Sequence, residues 1–300
     1  MKRWQYIILV LIIVFLISFI ISKVMSNFQD IKEDKIVIIP IQGTISNMGS
    51  DLPFSSSQIT SESIINSIKK AQENNNIKAV IFEINSPGGT VLASKEIADA
   101  VKKLNKPKVA LIRDVGASGA YWIASSADKI IADPLSITGS VGVISSYLEL
   151  SDLLNRYGIN YERLVVGKYK DIGTPYKDLT EEERNLLQNK INKIDKFFLN
   201  EVKINRNLRD TKKIETGEFF LGSEAKEIGL IDYLGNKETA IEIAKELSKT
   251  KEAKLVEFKE KKSILDILNK ISTSSFYSLG KGIGSELKFN SKENLQINAL

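Results

Sequence analysis

Between Ile36 and Val166 the chain alternates apolar runs of four to six residues with stretches of helical periodicity. The runs are Ile36–Ile41, Val80–Ile84, Val109–Ile112, Lys129–Ala132 and Tyr161–Val166. They are too short for helices and mostly apolar, with Glu83, Lys129, Glu162 and Arg163 as the charged exceptions, so they read as strands of a largely buried sheet. Helices are expected over 61–74, with Ile64, Ile65 and Ile68 on one face, and over 91–104 and 147–157. A further helix of small residues begins near Ser118. Strands separated by helices of this length predict βαβ units and a largely parallel sheet, an α/β fold. The serine-rich stretch 46–61, with Pro53, reads as a loop. After Thr180 a long helix is expected, capped by that threonine and opening on Glu181, Glu182 and Glu183. Leu187, Ile191, Ile194, Phe198 and Val202 share one face of it, a stripe for core or subunit contact.

The first residues follow a different rule. Lys2 and Arg3 precede an apolar run from Tyr6 to Ile21, and Ser22-Lys23 closes it. As a helix, Trp4 to Ser22 spans roughly 28 Å, the thickness of a bilayer core. Ser22-Lys23-Val24-Met25-Ser26 is a poor cleavage site, so residues 1–27 read as an uncleaved signal anchor. The basic N-terminal flank favours a cytoplasmic N-terminus with the rest of the chain outside. At the other end, residues 261–300 read as a partly amphipathic, flexible tail. The net charge of +5 is spread along the chain with no arginine stripe, which argues against nucleic-acid binding.

No histidine and no cysteine occur in 300 residues. That excludes a Ser-His-Asp triad, a cysteine protease and a His- or Cys-ligated zinc site. A serine nucleophile here needs another base, and lysine is the main residue able to serve. Asn85-Ser-Pro-Gly-Gly89 follows a strand and precedes a helix, so its backbone amides could face a substrate with no β-carbon in the way. Taken alone it is also an ordinary strand-to-helix turn. Ser118, in Ala117-Ser-Gly-Ala120, starts a helix with the unobstructed Gly119 amide beside it. Taken alone it could be a plain N-cap. Lys168 and Lys170 both follow the run ending at Val166, and spacing does not choose between them.

Taken together, residues 35–258 resemble the signal peptide peptidase A family, the protease IV type of membrane-bound Ser-Lys peptidases. The resemblance rests on Asn85–Gly89, Ala117–Ala120, Thr138-Gly-Ser-Val-Gly-Val143, Lys170-Asp171 with Pro175, and Gly222–Asp232, in that order. It implies a Clp/crotonase-like core of repeated ββα units in a peptidase domain over 28–260, behind one transmembrane helix. By the same resemblance Ser118 matches the nucleophile and Lys170, preferred to Lys168, the general base. Ser140 matches the residue that orients the lysine, and the Gly89 and Gly119 amides match the oxyanion hole. Arg184, Gly229 and Asp232 are expected to serve packing and turns. Ala120, where a second glycine is common, is a mild departure.

The resemblance further implies a short-form homo-oligomer whose sites lie between subunits and which degrades signal peptides and similar apolar peptides. It implies no metal, nucleotide or coenzyme. Three alternatives share parts of this pattern: a stomatin-operon type of membrane serine protease cleaving a membrane partner, a crotonase-like acyl-CoA enzyme and a non-catalytic membrane scaffold.

Overall fold

The computed structural model describes residues 3–30, 33–47 and 58–258. Most of the expected 46–61 loop and all of the 261–300 tail lie outside the described residues. The chain runs through α1 (Arg3–Asp30), β1 (Lys35–Gln42), β2 (Thr44–Ser46), β3 (Gln58–Thr60), α2 (Ser61–Glu73), β4 (Ile77–Ser86) and α3 (Val91–Lys103). It continues with β5 (Lys108–Ala117), α4 (Gly119–Ser125), β6 (Lys129–Ala132), β7 (Ile137–Gly139), α5 (Ser151–Arg156) and α6 (Glu181–Asn205). Last come α7 (Thr211–Ile214), β8 (Phe219–Leu221), α8 (Gly222–Ile228), β9 (Tyr233–Leu234), α9 (Lys237–Ser248) and β10 (Lys254–Glu257). Within α1, Trp4–Lys23 has a mean hydropathy of 2.8 and none of it is buried, so it is long and apolar enough to cross a membrane.

The main sheet has the order β10-β1-β4-β5-β6-β9, and every pair along that path is parallel. This is the α/β architecture that the alternation of runs predicts. Side chains of successive residues go to opposite faces, and both faces are covered. Val37, Ile39, Ile41, Phe82, Ile84 and Ile112 belong to the core shared with α2, α3 and α4. Ile36, Ile38, Ala79, Ile81, Val109 and Leu111 pack instead with Ala240 and Ala244 of α9. The helices are placed by local chemistry. Thr60 caps α2 by accepting from the Ser63 amide, and Ile64, Ile68 and Ala71 are its buried positions. Thr180 and Glu183 form a reciprocal capping box at the start of α6. Gly229 ends α8 in the left-handed region, and Asp232 accepts from the Ile130 amide and from Arg206. Those two residues serve turn and packing, as expected.

One detail of the sheet builds the site. β5 is longer than its neighbour β6: Val109–Ile112 pair with β6, and Val115–Ala117 pair with β7. β7 pairs in turn with β8, antiparallel. The strand therefore runs on past the apolar run Val109–Ile112 to Ala117.

Two other elements depart from expectation. Tyr161–Val166 forms no strand, and Leu164 and Val166 are 92% and 96% exposed. An apolar run becomes a strand only when a neighbour pairs with it, and none of the described residues does. The helix over 147–157 contracts to Ser151–Arg156, with no buried residue to hold a longer one. Residues 144–180 thus form a long arm outside the sheet.

Candidate active site

β5 ends at Ala117, α4 begins at Gly119, and Ser118 makes the turn between them at φ 55° and ψ −126°. A residue with a β-carbon is strained there by of order 1–3 kcal/mol. Hydrogen bonds hold it in place. The Ser118 amide donates to Gly139 O at 2.8 Å, and the Trp122 amide donates to Ser118 O at 3.0 Å. α4 anchors the turn from below, since all of its residues are buried and Tyr121 Oη donates to Leu230 O at 2.8 Å. Burial pushes the Tyr121 hydroxyl's pKa well above the ordinary tyrosine value. Ser118 makes no side-chain capping bond to α4. Ser118 thus holds the N-cap position without capping through its side chain, and the hydroxyl is left for other work.

The glycine loop lies directly alongside. A β-carbon on Gly89 would stand 1.8 Å from Ile45 O, so only glycine fits against β2. β2 clamps this loop through Ile45 N–H to Gly88 O and Thr90 N–H to Ile45 O, both 2.9 Å. That ladder leaves the Gly89 amide uncommitted. Gly119 is the first residue of α4, where amides have no intrahelical partner. A β-carbon on Gly119 would stand 3.5 Å from Gly89 N and 2.2 Å from Ser94 Oγ, which shows how closely the two turns approach. Ser140, past β7, is a second strained serine at φ 50°, its amide bonded to Glu218 O at 2.9 Å. Ser118, Gly89, Gly119 and Ser140 all line one cavity of about 540 Å³. A hydroxyl on a strained turn with two free amides nearby is an arrangement able to support acyl transfer.

Lys170 is not among the residues around this cavity. It is exposed on the arm, its amide bonded to Gly167 O at 3.0 Å, and its ammonium makes no hydrogen bond or ion pair with the described residues. Lys168, its competitor on spacing, is bonded to Glu182, which raises its pKa above the usual lysine value. That is the wrong direction for a base. The arm around Lys170 is nonetheless organised. Asp171 receives Arg163 through Nε and Nη2, the latter at 2.9 Å, and this pairing holds its carboxyl down to about 2. Lys177 lies 3.8 Å from Asp171 and 2.6 Å from Glu183, the buried capping acid of α6. Arg184 is exposed at the start of the same helix.

Sequence reasoning missed several residues that shape the cavity. Ser94, Trp122 and Asp195 line it, together with Phe198 from the α6 stripe. Ser94 had a legible signal: it is a hydroxyl among the buried positions Ala93, Ile97 and Ala98 of α3.

Residues 100–251 match peptidase family S49, and residues 4–156 match the ClpP-like SDH-type serine proteinases. A Methanocaldococcus jannaschii protein named as a candidate protease is 35% identical over 242 residues, 79% of this chain and 76% of that protein. An Enterococcus faecium protein named as a candidate signal peptide peptidase SppA is 35% identical over 231 residues, 75% of this chain and 67% of that protein. Protease 4 of Haemophilus influenzae is 31% identical over 219 residues, which are 71% of this chain and 35% of that longer protein.

Proposed function

This chain belongs to peptidase family S49 and is a serine peptidase, and from that premise we propose that it is a membrane-anchored endopeptidase working through a Ser118–Lys170 dyad. Neutral Lys170 takes the proton of Ser118 Oγ as the oxygen attacks a peptide carbonyl. The Gly89 and Gly119 amides hold the oxyanion, and Ser140 orients the lysine. The lysinium then protonates the leaving amine, and water hydrolyses the acyl-enzyme. The observation that carries this reading is the Ser118 turn, strained at φ 55° with its hydroxyl uncommitted to the helix that it precedes.

Lys170 lies on an arm whose Leu164 and Val166 are uncovered in a single chain, which supports delivery of the lysine by a second copy. α1 anchors the enzyme, with the N-terminus cytoplasmic and residues 28–260 outside as the peptidase domain. The name of the Enterococcus relative supports cleaved signal peptides as substrates. Such remnants lie in the bilayer that α1 would cross.

The test is mass spectrometry of the full chain in detergent after reaction with a serine-directed peptidyl phosphonate. Wild type and Lys168→Ala should carry the adduct on Ser118, while Ser118→Ala and Lys170→Ala should carry none. A folded, assembled wild type that takes no adduct would leave a non-catalytic scaffold. Loss of the adduct in Lys168→Ala alone would move the base to Lys168.

A further inference from the structure

The cavity beside Ser118 contains two polar groups that the proposed chemistry does not use. Ser94, on the inner face of α3, is fully buried, and its Oγ has no hydrogen-bond partner. It lies against Gly119, so it sits directly beneath the nucleophile's turn. Asp195 of α6 lines the same cavity, half-buried, and its carboxylate has no ion pair or hydrogen bond among the described residues. Its Oδ1 is 4.0 Å from where Gly142, two residues past Ser140, would carry a β-carbon. The other acid on the wall, Glu215, is already paired with Lys203 at 2.7 Å. Among the described residues no lysine or arginine lines the cavity. Beside these groups the Trp122 and Phe198 rings stack at 4.5 Å and make an apolar wall.

The unpaired buried hydroxyl costs stability, and the half-buried carboxylate is a charge with no neutralising partner on the wall, so each is open to a partner that arrives with the substrate. An apolar wall leading to an acid and a hydroxyl suits a side chain with a methylene stem and a cationic head. We propose that this cavity receives the substrate residue whose carbonyl is attacked, and that Asp195 and Ser94 select lysine or arginine there. The proposal rests on the reading of Ser118 as nucleophile. A neutral aliphatic chain of the same length would bury against Asp195 and leave that charge desolvated and unpaired. Signal peptides carry a positively charged n-region, so a basic pocket preference would direct cleavage to that end of the remnant.

The experiment uses full-length protein in detergent and fluorogenic peptides that differ only in this residue: lysine, norleucine, glutamine or glutamate. Wild type should favour lysine over norleucine by at least about tenfold in kcat/KM. Asp195→Asn should erase that ratio, Asp195→Lys should shift preference to glutamate, and Ser94→Ala should weaken the ratio with smaller effect. Because each readout is a ratio within one variant, partial misfolding cancels. A wild type that cleaves norleucine as well as lysine overturns the inference while the Ser118 reading stands. Equal loss on all peptides in Asp195→Asn also overturns it, and would place Asp195 in holding the catalytic lysine. If no peptide is cleaved and Ser118 takes no phosphonate, the underlying reading fails and this one with it.

Discussion

Ser94 and Ser118 show, one residue at a time, where this fold gives up stability at the site. Ser118 sits at φ 55° although its side chain takes no part in capping α4. Ser94 buries a hydroxyl with no partner among Ala93, Ile97 and Ala98. An unsatisfied buried donor costs about 1–3 kcal/mol, and its removal without a change of shape relieves that cost. Ser94→Ala is nearly isosteric and leaves only a small void. The variant should therefore be more stable by about 1 kcal/mol, with Tm higher by about 2–4 °C, as read by differential scanning calorimetry. At the same time it should lose part of its preference for lysine substrates. A Ser94→Ala protein that melts lower would show that the hydroxyl has a structural partner after all, such as an ordered water.

Among the elements, those that local pattern and chemistry specify were legible, and those that need a partner were not. β1 and β4 follow from apolar runs bounded by polar residues, and α6 follows from Thr180, Glu183 and the stripe ending in Phe198 and Val202. Leu164 and Val166 carry the same apolar signal as a buried strand, yet pairing is not encoded within the run itself. Ser118, Gly89, Gly119 and Ser140, which line one cavity, were legible as candidates because each sits on a turn with a recognisable motif. Asp195 was not, because an acid beside an apolar stripe looks like any solvated helix position.

The arm that replaces the expected strand is held by charge. Asp171 is depressed to about 2, chiefly by Arg163, and Glu183 is lowered chiefly by its bond from Lys177. A carboxylate whose pKa is lowered in the folded state adds stability above its unfolded pKa, about 3.9 for Asp, and loses it as pH falls toward the folded value. Amides of residues 159–180 should accordingly exchange faster as pH drops from about 4 to about 2, while β1, β4 and β5 keep their protection. Arg163→Gln should give the same local loss at neutral pH, read by hydrogen exchange with mass spectrometry. Loss spread evenly over the sheet would mean that the arm is not a separate unit.

For the molecule as a whole, what stands out is the mismatch between a well-built sheet and an uncovered arm. Ile144, Leu148, Leu164 and Val166 are 91%, 77%, 92% and 96% exposed, apolar side chains on the arm that a lone soluble domain would leave wet. Lys170 lies on that same arm, whereas Ser118 lines a cavity that holds no lysine or arginine among the described residues. Each chain thus carries half of the proposed dyad on its arm and half in its cavity. A head-to-tail ring would cover these apolar side chains and bring the halves together in one step. Neither Ser118→Ala nor Lys170→Ala should cleave peptides alone. Co-expressed in equal amounts, they should assemble sites that draw an intact serine from one copy and an intact lysine from the next. Random mixing makes about one quarter of the sites whole, so activity should return to about that fraction of wild type. If the dyad formed within one chain, no mixture of the two variants could contain a complete site, and the co-expressed protein would stay inactive. Leu164→Asp with Val166→Asp gives the second arm of this test: it should leave the sheet folded by circular dichroism, yet abolish both assembly in analytical ultracentrifugation and phosphonate labelling of Ser118. Labelling that survives in the resulting monomers would return Lys170 to the same chain as its serine.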